Sequence, residues 1–244
     1  MTGKRAAVVW LDRPEKANAL RLADIEALQR KLDHSAADAA TSGVVIAAKG
    51  SHFSGGVDLD EFVEGTPESG ARLINALHEL CETVMEMPKP VAVCIQGACV
   101  GGALELAVSA DFRVCTADAS FAMPEVFIGI PSVIHASLLE RYLGLGRAHE
   151  LILTGEPMDA SEALARGLVN RLEPAEKLLS SAEELIGLVA RHHPDAIRVQ
   201  KHLFREWLDR PFTKALDSSA RALVRSFESG APQSLARRRR DHQT

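Results

Sequence analysis

The 244-residue chain has four cysteines, Cys81, Cys94, Cys99 and Cys115, and no two of them form a CxxC pair. All four sit among apolar neighbours and read as buried free thiols. A chain long enough to build its own core has no need of a disulfide framework. No run of about 18 apolar residues is present, which excludes a membrane-spanning helix. The first apolar run, Ala6 to Leu11, is too short for a signal peptide, so the expected compartment is cytoplasmic. Excess positive charge is missing as well: the net charge is -5, and the surface as a whole does not advertise nucleic-acid binding. There is no internal repeat, no GxGxxG dinucleotide fingerprint and no Walker loop. The only charge run is Arg237–Arg240, read as a solvated basic tail, with a phosphate or nucleic-acid contact as the alternative.

Apolar residues make up 46% of the chain and charged residues 25%, the ordinary mix for a globular protein with a sizeable core. Short apolar runs at Ala6–Leu11, Val44–Ala48, Val91–Ile95, Phe112–Cys115 and Leu168–Leu172 read as strands. Leu22, Ile25, Leu28 and Leu32 recur at helical spacing. So do Leu73, Leu77, Leu80, Val84 and Met87, stopped by Pro88 and Pro90. Alternating strands and helices predict an α/β architecture with mostly parallel pairing. After Pro174 no strand-like run remains, and 175–192, 194–208 and 211–228 read as helices. The expected division is therefore an α/β core over 1–174 and a C-terminal helical region over 175–244.

Two glycine-bearing turns follow two buried strands. One is His52-Phe53-Ser54-Gly55-Gly56-Val57-Asp58-Leu59; the other runs from Gln96 through Gly101-Gly102-Ala103-Leu104-Glu105. Glycine lets backbone come close to a ligand. The second turn opens an apolar helical stretch, so its amides lie at a helix N-terminus, unpaired and favourable to negative charge. Two such turns can each lend one amide to a developing oxyanion. For either turn alone, tight packing of strand on helix is the better explanation of the glycines. Glu105 follows Gly102 by about one helical turn, among apolar neighbours, and Glu125 stands in a second apolar run, Met123 to Pro131. Carboxylates in such settings are either buried with a partner or placed for acid–base work. Spacing does not say whether they meet.

These segments together resemble the crotonase superfamily, the enoyl-CoA hydratase/isomerase family. The likeness starts at Leu11-Asp12-Arg13-Pro14-Glu15-Lys16-Ala17-Asn18-Ala19-Leu20 and continues through Phe53–Leu59, Gly97–Ala107, Pro124-Glu125 and Gly129-Ile130-Pro131. It ends with Leu153-Thr154-Gly155-Glu156 and Ala160–Val169. The resemblance implies a crotonase-like spiral of β-β-α units with a C-terminal helical appendage, assembling as a homotrimer or a dimer of trimers. It implies an acyl-CoA thioester as substrate, with coenzyme A part of that substrate and no separate cofactor or metal required. The amides of Gly55 and Gly102 would form the oxyanion hole, and Gly55, Gly56, Val57 and Asp58 would line the acyl-CoA site. The adenine would lie near Glu15–Leu20. Glu105 would hold and activate water, and Glu125 would supply the proton that ends on the α-carbon. Keeping both glutamates favours hydration of an enoyl-CoA. Isomerisation, decarboxylation or thioester cleavage on the same site, or binding without turnover, stay open. An RNA-binding role would need a lysine-rich helix, and the lysines here are scattered.

The sequence departs from the family after Pro131. Ser132-Val133-Ile134-His135 stands where a glycine-rich stretch is usual, next to the water and acyl tail in relatives. His135 is either a new polar group in the site or, the reading we favour, a helix-start residue away from it. Ala103 replaces a frequent glycine, Val57 is bulkier than the usual alanine, and the closing Phe-x-x-Lys-Arg pattern is absent.

Overall fold

The computed structural model of the protein describes residues 5–63 and 65–241. The elements in chain order are β1 (Arg5–Leu11), α1 (Leu22–Ala37), β2 (Thr41–Ala48), the single turn α2 (Asp60–Val63), α3 (Pro67–Glu86), β3 (Val91–Ile95), β4 (Ala98–Val100) and α4 (Gly102–Val108). They continue with β5 (Phe112–Cys115), β6 (Ser120–Ala122), α5 (Leu139–Leu143), α6 (Leu145–Thr154), β7 (Met158–Asp159), α7 (Ala160–Ala165) and β8 (Arg171–Leu172). Helices α8 (Leu178–Ala190), α9 (Pro194–Asp209), α10 (Phe212–Ser226) and α11 (Ala231–Asp241) complete the chain.

Five strands form one parallel sheet in the order β1-β2-β3-β5-β8, as the alternating pattern predicts. Successive side chains of a strand face opposite sides, and here the two sides differ. Val44, Ile46 and Ala48 of β2, with Val91, Val93 and Ile95 of β3, face the large core built with Ile25, Leu28 and Leu32 of α1 and Leu73, Leu77, Leu80 and Val84 of α3. The alternate residues Val45, Ala47, Ala92 and Cys94 meet Leu178, Ala182 and Ile186 of α8. Both faces are covered, which is why these strands read as continuous apolar runs. Helix α8 lies past the boundary expected at residue 174 and supplies the second face of the sheet.

A three-stranded sheet, β4-β6-β7, forms a second layer. Its strands are two or three residues long, too short for a periodic signal. The fifth strand is also shorter than expected, Arg171–Leu172 only. Helix α3 begins at Pro67, ahead of its apolar stripe, because Thr66 caps it: the Thr66 hydroxyl accepts from Ser69 N–H at 3.2 Å, and proline fits the first turn. The basic run at Arg237–Arg240 falls on α11; residues 242–244 of the tail lie outside the described residues. Among the described residues no helix is long and apolar enough to cross a membrane. All four cysteines are buried free thiols.

Candidate active site

Helix α4 carries the second turn into the middle of the molecule, and every residue from Gly102 to Val108 is buried. Its far end is fixed by Arg113, a buried guanidinium. The Arg113 Nη1 donates to the main-chain oxygens of Ala107 (3.1 Å) and Ala110 (2.8 Å), and its Nε to that of Leu168. These bonds satisfy carbonyls that a helix end otherwise leaves unpaired, and a cation there suits the helix dipole. The near end is fixed by backbone: Gly101 N–H donates to Ala122 O at 2.8 Å. Gly101 adopts a positive φ of 54°, and a Cβ there would run into Glu125 Oε1.

The two glycine turns lie side by side. Ser54 N–H donates to Ala98 O (3.0 Å) and Val100 N–H to Ser54 O (3.1 Å). Gly56, at φ 91°, lets the first turn approach Val100, whose carbonyl would lie 2.7 Å from any Cβ. A cavity of about 300 Å³ opens over this junction. Its wall includes Gly55, Val57, Gly102, Glu105 and Glu125. The structure thus brings both glutamates and both turns to one space, which spacing alone left open. Asp58 does not line it; its carboxylate accepts from Arg13 Nη1 at 2.6 Å and ties the turn to the Arg13–Leu20 loop. The Arg13 guanidinium holds the Asp58 carboxyl below the usual carboxylate range.

An accounting of the amides corrects one expectation. Gly55 N–H already donates to Ala17 O at 2.8 Å, so it is not available to a ligand. Gly56 N–H is taken by the Ser54 hydroxyl at 3.1 Å, and Asp58 N–H by Leu20 O at 3.0 Å. Within Gly55–Asp58 the amide left without a protein acceptor among the described residues is that of Val57; at the start of α4 those of Gly102 and Ala103 are left, and of these two residues Gly102 lines the cavity. A Cβ on Gly102 would sit 3.4 Å from a Val57 methyl, so the two positions adjoin. The candidate donor pair is Val57 and Gly102, not Gly55 and Gly102. The sequence held no sign of this, because the partner that occupies Gly55 is contributed by Ala17.

Glu105 is 4% exposed. Its Oε1 accepts from the main-chain amides of Ile134 and Ala136, both at 3.0 Å. Ile134 belongs to the segment that departs from the family pattern, and Ala136 directly follows it. Burial pushes the Glu105 carboxyl up to about 7, partly offset by those two amides and reinforced by the nearby charge of Glu125. Burial also raises the Glu125 carboxyl above its ordinary value, while a bond from the Ser132 hydroxyl to Oε2 at 3.0 Å works against it. Ser132 is therefore a site residue that was singled out only as a departure. His135 is not in the cavity wall. It caps the short Ala136–Leu138 turn with its ring buried against Ser109 and Glu82, and burial lowers its affinity for a second proton. The preferred reading of His135, a helix-start residue away from the acyl site, agrees with this.

The family model for enoyl-CoA hydratase/isomerase matches residues 2–237. The chain belongs to the enoyl-CoA hydratase/isomerase family. Its relatives in this family include a crotonyl-CoA hydratase of Syntrophomonas wolfei, 30% identical over 92% of this chain and 87% of that protein. A 2,3-dehydroadipyl-CoA hydratase of Escherichia coli is 31% identical over 83% of this chain and 79% of its own length. Among solved structures, an enoyl-CoA hydratase from Bacillus anthracis superposes with a TM-score of 0.85 at 30% identity, covering 92% of this chain and 88% of that one. The enoyl-CoA hydratase/isomerase fold of the chain, a crotonase-like α/β core with C-terminal helices, follows from these likenesses.

Proposed function

We propose that the chain adds water across the 2,3 double bond of an enoyl-CoA thioester. One observation carries the reading: two unpaired amides, the buried carboxylate of Glu105 and the half-buried one of Glu125, each with raised proton affinity, share one apolar cavity. The thioester oxygen would accept from Val57 N–H and Gly102 N–H. That draws electron density from the β-carbon and stabilises the enolate-like oxygen as water adds. Losing one such donor typically costs about 3 kcal/mol of barrier lowering. Glu105 would hold the water and take up its proton as the oxygen bonds to the β-carbon. Glu125 would give a proton to the α-carbon. The pair must then carry one proton between them, and burial together with mutual repulsion makes that state accessible near neutrality. Nothing in this chemistry requires a metal or redox cofactor.

An isomerase needs only one carboxylate to carry a proton between two carbons. The separate grip on Glu105, from two amides of one loop, favours hydration over that alternative. The deciding experiment incubates the protein with 2-enoyl-CoAs of several chain lengths and weighs the products. A gain of one water supports the proposal; a shifted double bond at unchanged mass, a lost carboxyl group or free coenzyme A would each overturn it.

A further inference from the structure

Behind Glu105, on the side away from the acyl cavity, lies a second opening of about 570 Å³ whose wall includes His78, Glu82, His135 and Arg205. His78 and Glu82 are four residues apart on α3 and so share a face of that helix. His135 reaches them from the loop before α5. One ligand atom from each of the three lies within 4.8 Å of the others. The rings of His78 and His135 meet edge to face with centroids 6.0 Å apart.

The hydrogens in this cluster do not balance. The Ser109 hydroxyl is 2.7 Å from the main-chain oxygen of Glu105 and 2.6 Å from His135 Nδ1, and His135 Nε2 is 2.9 Å from Glu82 Oε1. Both ends of the chain of contacts, a carbonyl and a carboxylate, only accept. Three contacts need three hydrogens; a hydroxyl and a neutral imidazole supply two, so the third place is filled either by a second imidazole proton or by a metal ion. Ser109 donates along the helix to Glu105 O, so His135 places its hydrogen on Nδ1 toward Ser109. With one ring hydrogen, its Nε2 lone pair faces the Glu82 carboxylate, an arrangement that a metal ion shared by the two groups would satisfy.

We propose that His78, Glu82 and His135 bind a divalent transition-metal ion of the zinc class. Two imidazoles and one carboxylate form a set suited to such an ion, with a fourth position open to water. Magnesium and calcium prefer all-oxygen sites. The surrounding groups fit the role. The ring nitrogen of His135 not used for the metal donates to Ser109. The Glu82 oxygen not used for it, Oε2, is held by Arg205 Nη2 at 3.3 Å. Outer partners of this kind orient a metal-binding histidine and carboxylate. His135 also lies between Ile134 and Ala136, whose amides hold Glu105. A bound ion would therefore anchor the loop that grips that carboxylate, without touching substrate.

The test uses untagged, chelator-treated protein titrated with zinc by calorimetry and with cobalt by its visible absorption. We expect one ion per chain with micromolar or tighter affinity and a tetrahedral cobalt spectrum. His78→Ala, a change at an exposed position, should weaken binding at least about tenfold. Ser109→Ala, which touches no ion, should weaken it by roughly 10- to 100-fold through His135. His149→Ala, which removes an exposed imidazole that is not part of the cluster, should leave it unchanged. Equal affinity in wild type and His78→Ala would overturn the proposal. So would loss of binding in His149→Ala, or absence of uptake with both His135 nitrogens protonated by NMR.

Discussion

Burial sets the proton affinity of Glu105 at about 7, and the two amides that hold Oε1 offset it only in part. An unfolded glutamate titrates near 4.5. Between those values the folded chain binds more protons than the unfolded one, so stability falls as pH rises through that window. At roughly 1.4 kcal/mol per unit the cost above neutrality is on the order of 3 kcal/mol. Glu105→Gln keeps the shape and can still accept from both amides, yet carries no charge to desolvate. It should unfold at a higher temperature than wild type at pH 8, with the difference shrinking by pH 5. Equal differences at both pH values would show that Glu105 titrates normally. The same variant and Glu125→Gln should each lower hydration kcat by at least ~100-fold, read from initial rates. The apolar neighbours of Glu105 and Glu125 made both carboxylates legible in the sequence. What holds them was not: Ile134 and Ala136 donate through backbone, which has no residue signature, and Ser132 reaches Glu125 only because the chain folds back after Pro131.

At the scale of elements, the site is the seam between two strand-to-helix turns. The sequence marks each turn by its glycines, but which amide is free depends on what the rest of the backbone has used. Ala17 takes Gly55 and Leu20 takes Asp58, leaving Val57. Ala17 and Asn18 themselves stand at positive φ, 48° and 53°. Asn18 is locked there by donating to Lys49 O and His52 O, both at 2.8 Å. The loop on which the resemblance places adenine therefore also sets the first turn. Gly102→Pro tests the second turn directly. Proline removes the N–H, and its φ suits the first residue of a helix. Gly101 before it is already outside the helical region, and the nearest obstacle is a Leu77 methyl at 2.6 Å, the end of a flexible side chain. With the fold verified by circular dichroism, turnover should fall by ~100- to 1,000-fold. Undiminished turnover would remove this amide from the mechanism. The elements that the sequence did not reveal are β4, β6, β7, α2, α5, α6, α7 and α11: all but α6 and α11 are too short for an apolar period to register, α11 is too polar, and α6 (Leu145–Thr154) went unrecognised although it carries apolar residues.

For the whole molecule, the apolar periods predicted the parallel sheet and its helices because burial on both faces writes a continuous apolar strand. The division at residue 174 followed the end of strand-like runs, whereas packing is set by which faces need cover. Leu185 of α8 leans on the sheet cluster rather than facing outward. The acyl cavity shows the same logic on its other wall: Leu59, Phe62, Ile74, Phe127, Ile128 and Val133 line it, with no cationic side chain among the described residues. A carboxylate-terminated acyl chain would be desolvated there without a partner, so aliphatic enoyl-CoAs should exceed dicarboxylyl ones in kcat/KM by at least about tenfold. Comparable values in a steady-state assay would mean that the tail lies outside this cavity. The remaining unmatched apolar surface is on the last helices. Phe204 and Trp207 of α9, Leu216, Leu223 and Val224 of α10, Phe227 just after it and Leu235 of α11 are all exposed in the isolated chain. Large apolar side chains spread singly over a surface are ordinary, but this many on three consecutive helices leave an amount of apolar surface open to water that a partner would cover. A helix with such a surface gains by docking on another copy, and closed symmetry repeats the contact without leaving an unpaired end. The apolar surface calls for a partner copy without fixing the number; the resemblance to the family implies a trimer or a dimer of trimers, so multi-angle light scattering at micromolar concentration should return three or six chains per particle. Leu223→Glu and Val224→Glu together would place charge on that surface and should shift the particle toward smaller species while the parallel sheet persists. A wild-type monomer in that measurement would overturn the expectation and assign these helices to packing within one chain.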